Sequence, residues 1–126
     1  MKRLLSVMLM LVTAPSFAWN NYYENQSPVT YKKPVTINYL LCFSKSAPTQ
    51  QDCDPNVNSV TLQSSEKKVI NVPEVVGLNS NAVVVSATSG NLTQVFPFLT
   101  CVAGTTNGTV NFVANAAHNI IECHDD

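Results

Sequence analysis

The chain has 126 residues, with seven basic residues against eight acidic ones and a net charge of −1. Charged residues make up only 12% of it, which leaves no basic face for nucleic acid, and the length allows one domain rather than a two-domain enzyme. After the N-terminal stretch no apolar run reaches the ~20 residues that a membrane span needs.

Lys2 and Arg3 open the chain, a mostly apolar run covers residues 4–12, and Ser16-Phe17-Ala18 follows. Positive charge, a short apolar run and small residues at −3 and −1 together read as a secretory signal peptide over 1–18, cut after Ala18. The residue after the cut is Trp19 rather than cysteine, so no lipid anchor is expected. The remaining chain keeps five lysines and no arginine against eight acids, a net charge of −3. Bidentate clamping of phosphate or carboxylate is therefore unavailable to it.

Residues 19–33 show no sustained periodicity and read as an extended N-terminal arm ahead of a domain over 34–126. Of nine aromatic residues after the cut, Trp19, Tyr22, Tyr23 and Tyr31 fall in this arm. Aromatic side chains join a large apolar area to a polar handle and are enriched where proteins dock, so these four are the candidate partner-binding residues. The competing reading packs the arm on its own domain, as an edge strand near Val29 and Tyr31.

Val35, Ile37, Tyr39, Leu41 and Phe43 alternate with less apolar neighbours, the period of a strand with one buried face. Residues 60–63 and 68–72 form two more strands, and the polar Ser64-Ser65-Glu66 between them suggests a hairpin. Residues 82–88 are apolar on both faces, as a covered central strand would be. Ser89-Gly90-Asn91 turns into a long run over 92–103, in which Pro97 demands an edge position or a bulge. Asn107-Gly108 turns into 109–114 and suggests another hairpin, and residues 115–118 turn into a last strand over 119–124. Seven or eight short strands without helical periodicity predict an all-β, two-sheet sandwich of immunoglobulin-like or jelly-roll type.

Four cysteines, Cys42, Cys53, Cys101 and Cys123, make an even set that reads as two disulfides in an oxidising compartment. Their spacings lack the close pairs of a zinc site. Local pairing, Cys42 with Cys53 and Cys101 with Cys123, is favoured among the three connectivities. The second bond carries a condition. In a flat meander, residues 95–103 and the last strand would lie about 9.5 Å apart, twice the strand spacing. A disulfide needs Cα atoms within about 7 Å, so either the last strand meets that run from another side or the connectivity is not local.

Two polar clusters invite a chemical reading. Asp52, Asp54, Asn56 and Asn58 alternate as in a calcium loop, but Val57 and Gln63 stand where glycine and a bidentate carboxylate belong. His118, Glu122, His124 and Asp126 gather histidine with acid near the C-terminus. On a strand Glu122, His124 and Asp126 would share one face, a spacing that could hold a transition metal, with a solvated acidic tail as the competing reading. A metal carrier or enzyme would be built on His118, Glu122 and His124. Neither a nucleophile elbow nor a phosphate loop accompanies them, so the chain is expected to be non-enzymatic and to need no cofactor.

The signal, the compact Val- and Asn-rich domain and the four-cysteine set resemble the small exported accessory subunits of bacterial outer-membrane secretion complexes, such as those of type IVB secretion systems. That resemblance implies a periplasmic structural protein docking with other proteins in an envelope hetero-oligomer. A secreted binding module or inhibitor is the alternative from another class.

Overall fold

The computed structural model describes residues 17–104 and 107–125. Eight strands follow one another: β1 (Phe17–Asn25), β2 (Val35–Ser44), β3 (Asn58–Leu62), β4 (Lys67–Pro73), β5 (Asn79–Ser89), β6 (Leu92–Val95), β7 (Thr109–Asn115) and β8 (Ile120–Asp125). They form two four-stranded sheets, ordered β4-β1-β7-β8 and β3-β2-β5-β6. The fold is the all-β two-sheet sandwich that the alternation predicts.

The second sheet is antiparallel throughout, and its ladders follow the legible sequence patterns. Val35 and Ile37 point inward as their period requires, and Tyr39 and Leu41 pack against the same core. One residue too many in β5, at Val85, lets Ala82 and Val84 before it and Ala87 after it all reach the core. Pro97 ends β6, the outermost strand. A turn over 97–100 then bulges out before Cys101 and Val102 rejoin the edge of β5. That edge placement suits a residue with no N–H to donate.

Four expectations change. The arm does not precede the domain: residues 17–25 are a strand inside the first sheet, antiparallel to β4 and parallel to β7. The segment near Val29 is a turn, not an edge strand. The residues 60–63 and 68–72 do not make a hairpin either, because β3 belongs to one sheet and β4 to the other. The turn between them, with Ser65 at φ 64°, carries the chain across the open side of the sandwich. The Asn107-Gly108 turn likewise leads between sheets, from the β6 side to β7.

Both disulfides pair locally, Cys42 with Cys53 and Cys101 with Cys123. The geometric condition on the second is met because Cys101 follows the edge of one sheet while Cys123 sits on the edge strand of the other. Their Cα atoms are 5.9 Å apart. This bond staples the sheets together along the β6 and β8 side.

Tyr23 is the largest fully buried side chain and lies between the sheets. Its ring meets Tyr39 of β2 edge-on at 5.8 Å and Phe112 of β7 at 5.6 Å. Such edge-to-face pairs add about 0.5–1.5 kcal/mol beyond burial. Residues 1–16 of the expected signal peptide lie outside the described residues.

Candidate functional site

Where β1 ends, its last residues continue beside β7 without a regular ladder. Gln26 N–H donates to the Phe112 carbonyl at 2.8 Å, and Ala114 N–H donates to the Ser27 hydroxyl at 2.9 Å. Asn25 holds this exit. Its Nδ2 donates to the Leu62 carbonyl at 3.2 Å, and its Oδ1 accepts from Ser27 N–H at 3.1 Å. A fully buried asparagine is tolerated here because both ends of its amide are satisfied.

A turn follows, closed by Tyr31 N–H donating to the Pro28 carbonyl at 2.8 Å. The Tyr31 hydroxyl lies 2.7 Å from Ser89 Oγ and 3.1 Å from the Ser89 carbonyl oxygen. Since the single Ser89 hydroxyl proton goes to the Pro34 carbonyl, Tyr31 is the donor. The tyrosine therefore ties the crossover to the far sheet.

This construction leaves a cleft of about 360 Å³, with Pro28, Thr30 and Tyr31 on one wall and residues 113–116 of the β7–β8 turn on the other. Among the described residues no charged side chain lines it. Two apolar residues flank it: Val29, 79% exposed at the tip of the crossover turn, and Ile120, opposite Asn115 on β8. A concavity of this size, with Pro28, Val113, Ala114 and Ala116 beside the polar groups of Thr30, Tyr31 and Asn115, can take one or two side chains of a partner. A second, more open cleft of about 530 Å³ lies at the opposite end, between Pro48 and Leu99 over Asn79 and Asn81.

The sequence-predicted residues disperse. Tyr23 is in the core, where burial, and then the neighbouring Tyr39, push its phenol far above the usual value, so it offers nothing to a partner. This corrects its reading as a docking residue: an inward-facing position on a central strand buries it. Tyr22 faces outward beside Val69, with the Lys67 ammonium 5.2 Å from its ring centroid. The Trp19 backbone pairs with Val72, and its side chain lies outside the described parts. Of the three whose side chains are described, Tyr31 lines the cleft.

His118, Glu122 and His124 do not converge. His118 accepts at Nδ1 from Asn115 Nδ2 at 2.9 Å within the turn, whereas His124 Nε2 meets Glu122 Oε1 at 2.8 Å on exposed β8. Among the described residues no three of His, Cys, Asp and Glu gather as a metal site. In the 45–57 loop Asp52 Oδ2 accepts from Thr49 N–H at 2.7 Å, and Asp54 Oδ1 from Asn56 N–H at 2.9 Å. The aspartates there fix their own turns.

Sequence reasoning missed Pro28, Val29 and the 113–116 wall. Their only local signal is the Pro-Val-Thr-Tyr turn, an exposed valine beside proline.

Fold and site define a disulfide-stapled β-sandwich with a cleft of mixed polar and apolar lining, free of charged side chains among the described residues, at the end where the sheets are bridged. No family model, no curated protein and no solved structure matches this chain.

Proposed function

We propose that this protein is a non-enzymatic, exported interaction subunit that docks into a larger cell-envelope assembly, of the kind formed by bacterial outer-membrane secretion complexes. The observation that carries the reading is the neutral cleft between Tyr31 and the 113–116 turn, rimmed by exposed Val29 and Ile120. An apolar side chain from a partner leaves water on entering it, and the uncharged walls impose no desolvation cost of ions.

Two further features support export. The disulfides suit an oxidising compartment such as the periplasm. The β1 register shifts between Phe17 and Trp19 and is regular from Trp19 onward, so cleavage after Ala18 removes only residues before the regular ladder. Among the described residues no helix is long and apolar enough to cross a membrane.

The test is co-purification from the native envelope with Val29→Asp and Ala116→Arg, which charge the rim and one wall at exposed positions. Wild-type protein should fractionate with the envelope and elute with partners at high mass, while both variants should melt as wild type does but elute alone. Wild-type protein recovered free in the medium would favour the secreted-module reading instead.

A further inference from the structure

We propose that β1 is an exchangeable strand, able to leave its slot between β4 and β7 and fill the same slot in a second copy of this chain. The inference goes beyond the docking role above: the cleft at Tyr31 shares β7 and the 26–34 connection with the slot, but strand exchange is read by a measurement that involves no envelope partner.

The walls of the slot lie outside its strand. Elements β2 to β8 supply all of the second sheet and three of four strands of the first, and both disulfides join residues outside β1. Withdrawing β1 leaves a gap of about 9.6 Å, two strand spacings wide, with an open backbone ladder on each side. Such paired edges take up a strand readily.

The strand is seated with a defect. Asn21 and Tyr23 face the core, and Asn21 Nδ2 and Tyr23 Oη are both buried with no hydrogen-bond partner among the described residues. On withdrawal both groups regain water, which lowers the cost of opening relative to a fully satisfied strand. A second copy offers an identical slot, so exchange restores every contact given up, and concentration decides the balance.

Charge and ring complementarity select the occupant. Lys67 on the slot's β4 wall stands directly opposite Glu24 and over the Tyr22 ring, a pairing that a second copy's β1 presents in the same register. The connection after β1 has the reach. Residues 26–34 bridge the two sheets, a step of about 10 Å, yet nine extended residues span about 30 Å. Pro28 and Pro34 favour that extended form.

The test uses unmodified protein. Equal amounts of ¹⁴N- and ¹⁵N-labelled chain are mixed at high concentration in mild urea, returned to buffer, and separated into monomer and dimer. A carbodiimide then joins Glu24 to Lys67, and the linked peptides are weighed. Exchange predicts that about half of the linked pairs from the dimer combine one light and one heavy peptide, the statistical value for reciprocal exchange, with none in the monomer. A dimer containing only isotopically uniform pairs overturns the proposal, and so does the absence of any dimer up to millimolar protein.

Discussion

The two sheets of this sandwich are built in different ways. The β3-β2-β5-β6 sheet is antiparallel throughout and takes its strands from one continuous stretch, residues 35–95, interrupted only by β4. The β4-β1-β7-β8 sheet collects residues 17–25, 67–73 and 109–125, and its centre is a parallel pair between the first strand and the seventh. A parallel pair of such sequence separation forms only after a long loop closes. The first sheet therefore depends on long-range contacts and on the Cys101–Cys123 bond to the second, and it is the weaker partner in folding.

The largest expected effect removes the strand at the centre of that dependence. Deleting residues 19–25 should abolish the cooperative thermal transition, since β4 and β7 lose their shared neighbour and Tyr23 leaves the core. A truncated chain that still melts cooperatively would show the first sheet to be independent of β1 and break the comparison. Next come the disulfides. Replacing Cys101 and Cys123 by alanine should cost about 3.4 kcal/mol in urea unfolding, and replacing Cys42 and Cys53 about 2.8 kcal/mol, from the closed separations of 22 and 11 residues. The reverse order would mean that the inter-sheet link matters less than the loop staple.

Asn25→Ala should cost about 2 kcal/mol, because it orphans the buried Leu62 carbonyl and the Ser27 N–H at the exit of β1. Urea midpoints at constant slope check it. The smallest effect has the opposite sign. Tyr23→Phe deletes a buried hydroxyl with no partner and should stabilise by roughly 1 kcal/mol. The phenol ionises less readily folded than unfolded, so its contribution is intact below the ordinary pKa of 10.0 and is lost as pH rises above it. Wild-type stability should therefore fall from about pH 10 upward. The phenylalanine variant should fall less steeply, with Tyr39, also raised by burial, carrying the rest.

The same contrast explains what could be read from the sequence. The second sheet announces itself through the alternation from Val35 to Leu41 and the apolar 82–88 run, and Pro97 marks its edge. The strand β1 hides, because two of its three core-facing residues after Trp19 are asparagines. A buried Asn21 and Asn25 look like surface residues until the hydrogen bonds of Asn25 are seen. The cleft was not legible at all. Its walls come from residues more than eighty positions apart, brought together by the parallel pairing of β1 with β7, and no local pattern encodes that. The cysteine pairing was legible in part: parity and the short Cys42–Cys53 loop favoured local bonds, while strand spacing left open whether Cys123 meets Cys101 from another side or pairs elsewhere, and the second sheet's placement decides it.

The amide of Asn25 carries one last consequence. Asn25-Gln26-Ser27 is a sequon, and oligosaccharyltransferase would attach a glycan at the Nδ2 that donates to the Leu62 carbonyl in a fully buried site. A sugar added there as the chain emerges cannot be accommodated between the sheets. Production in a glycosylating eukaryotic host should yield modified, unfolded chains, and Asn25 would be the position responsible.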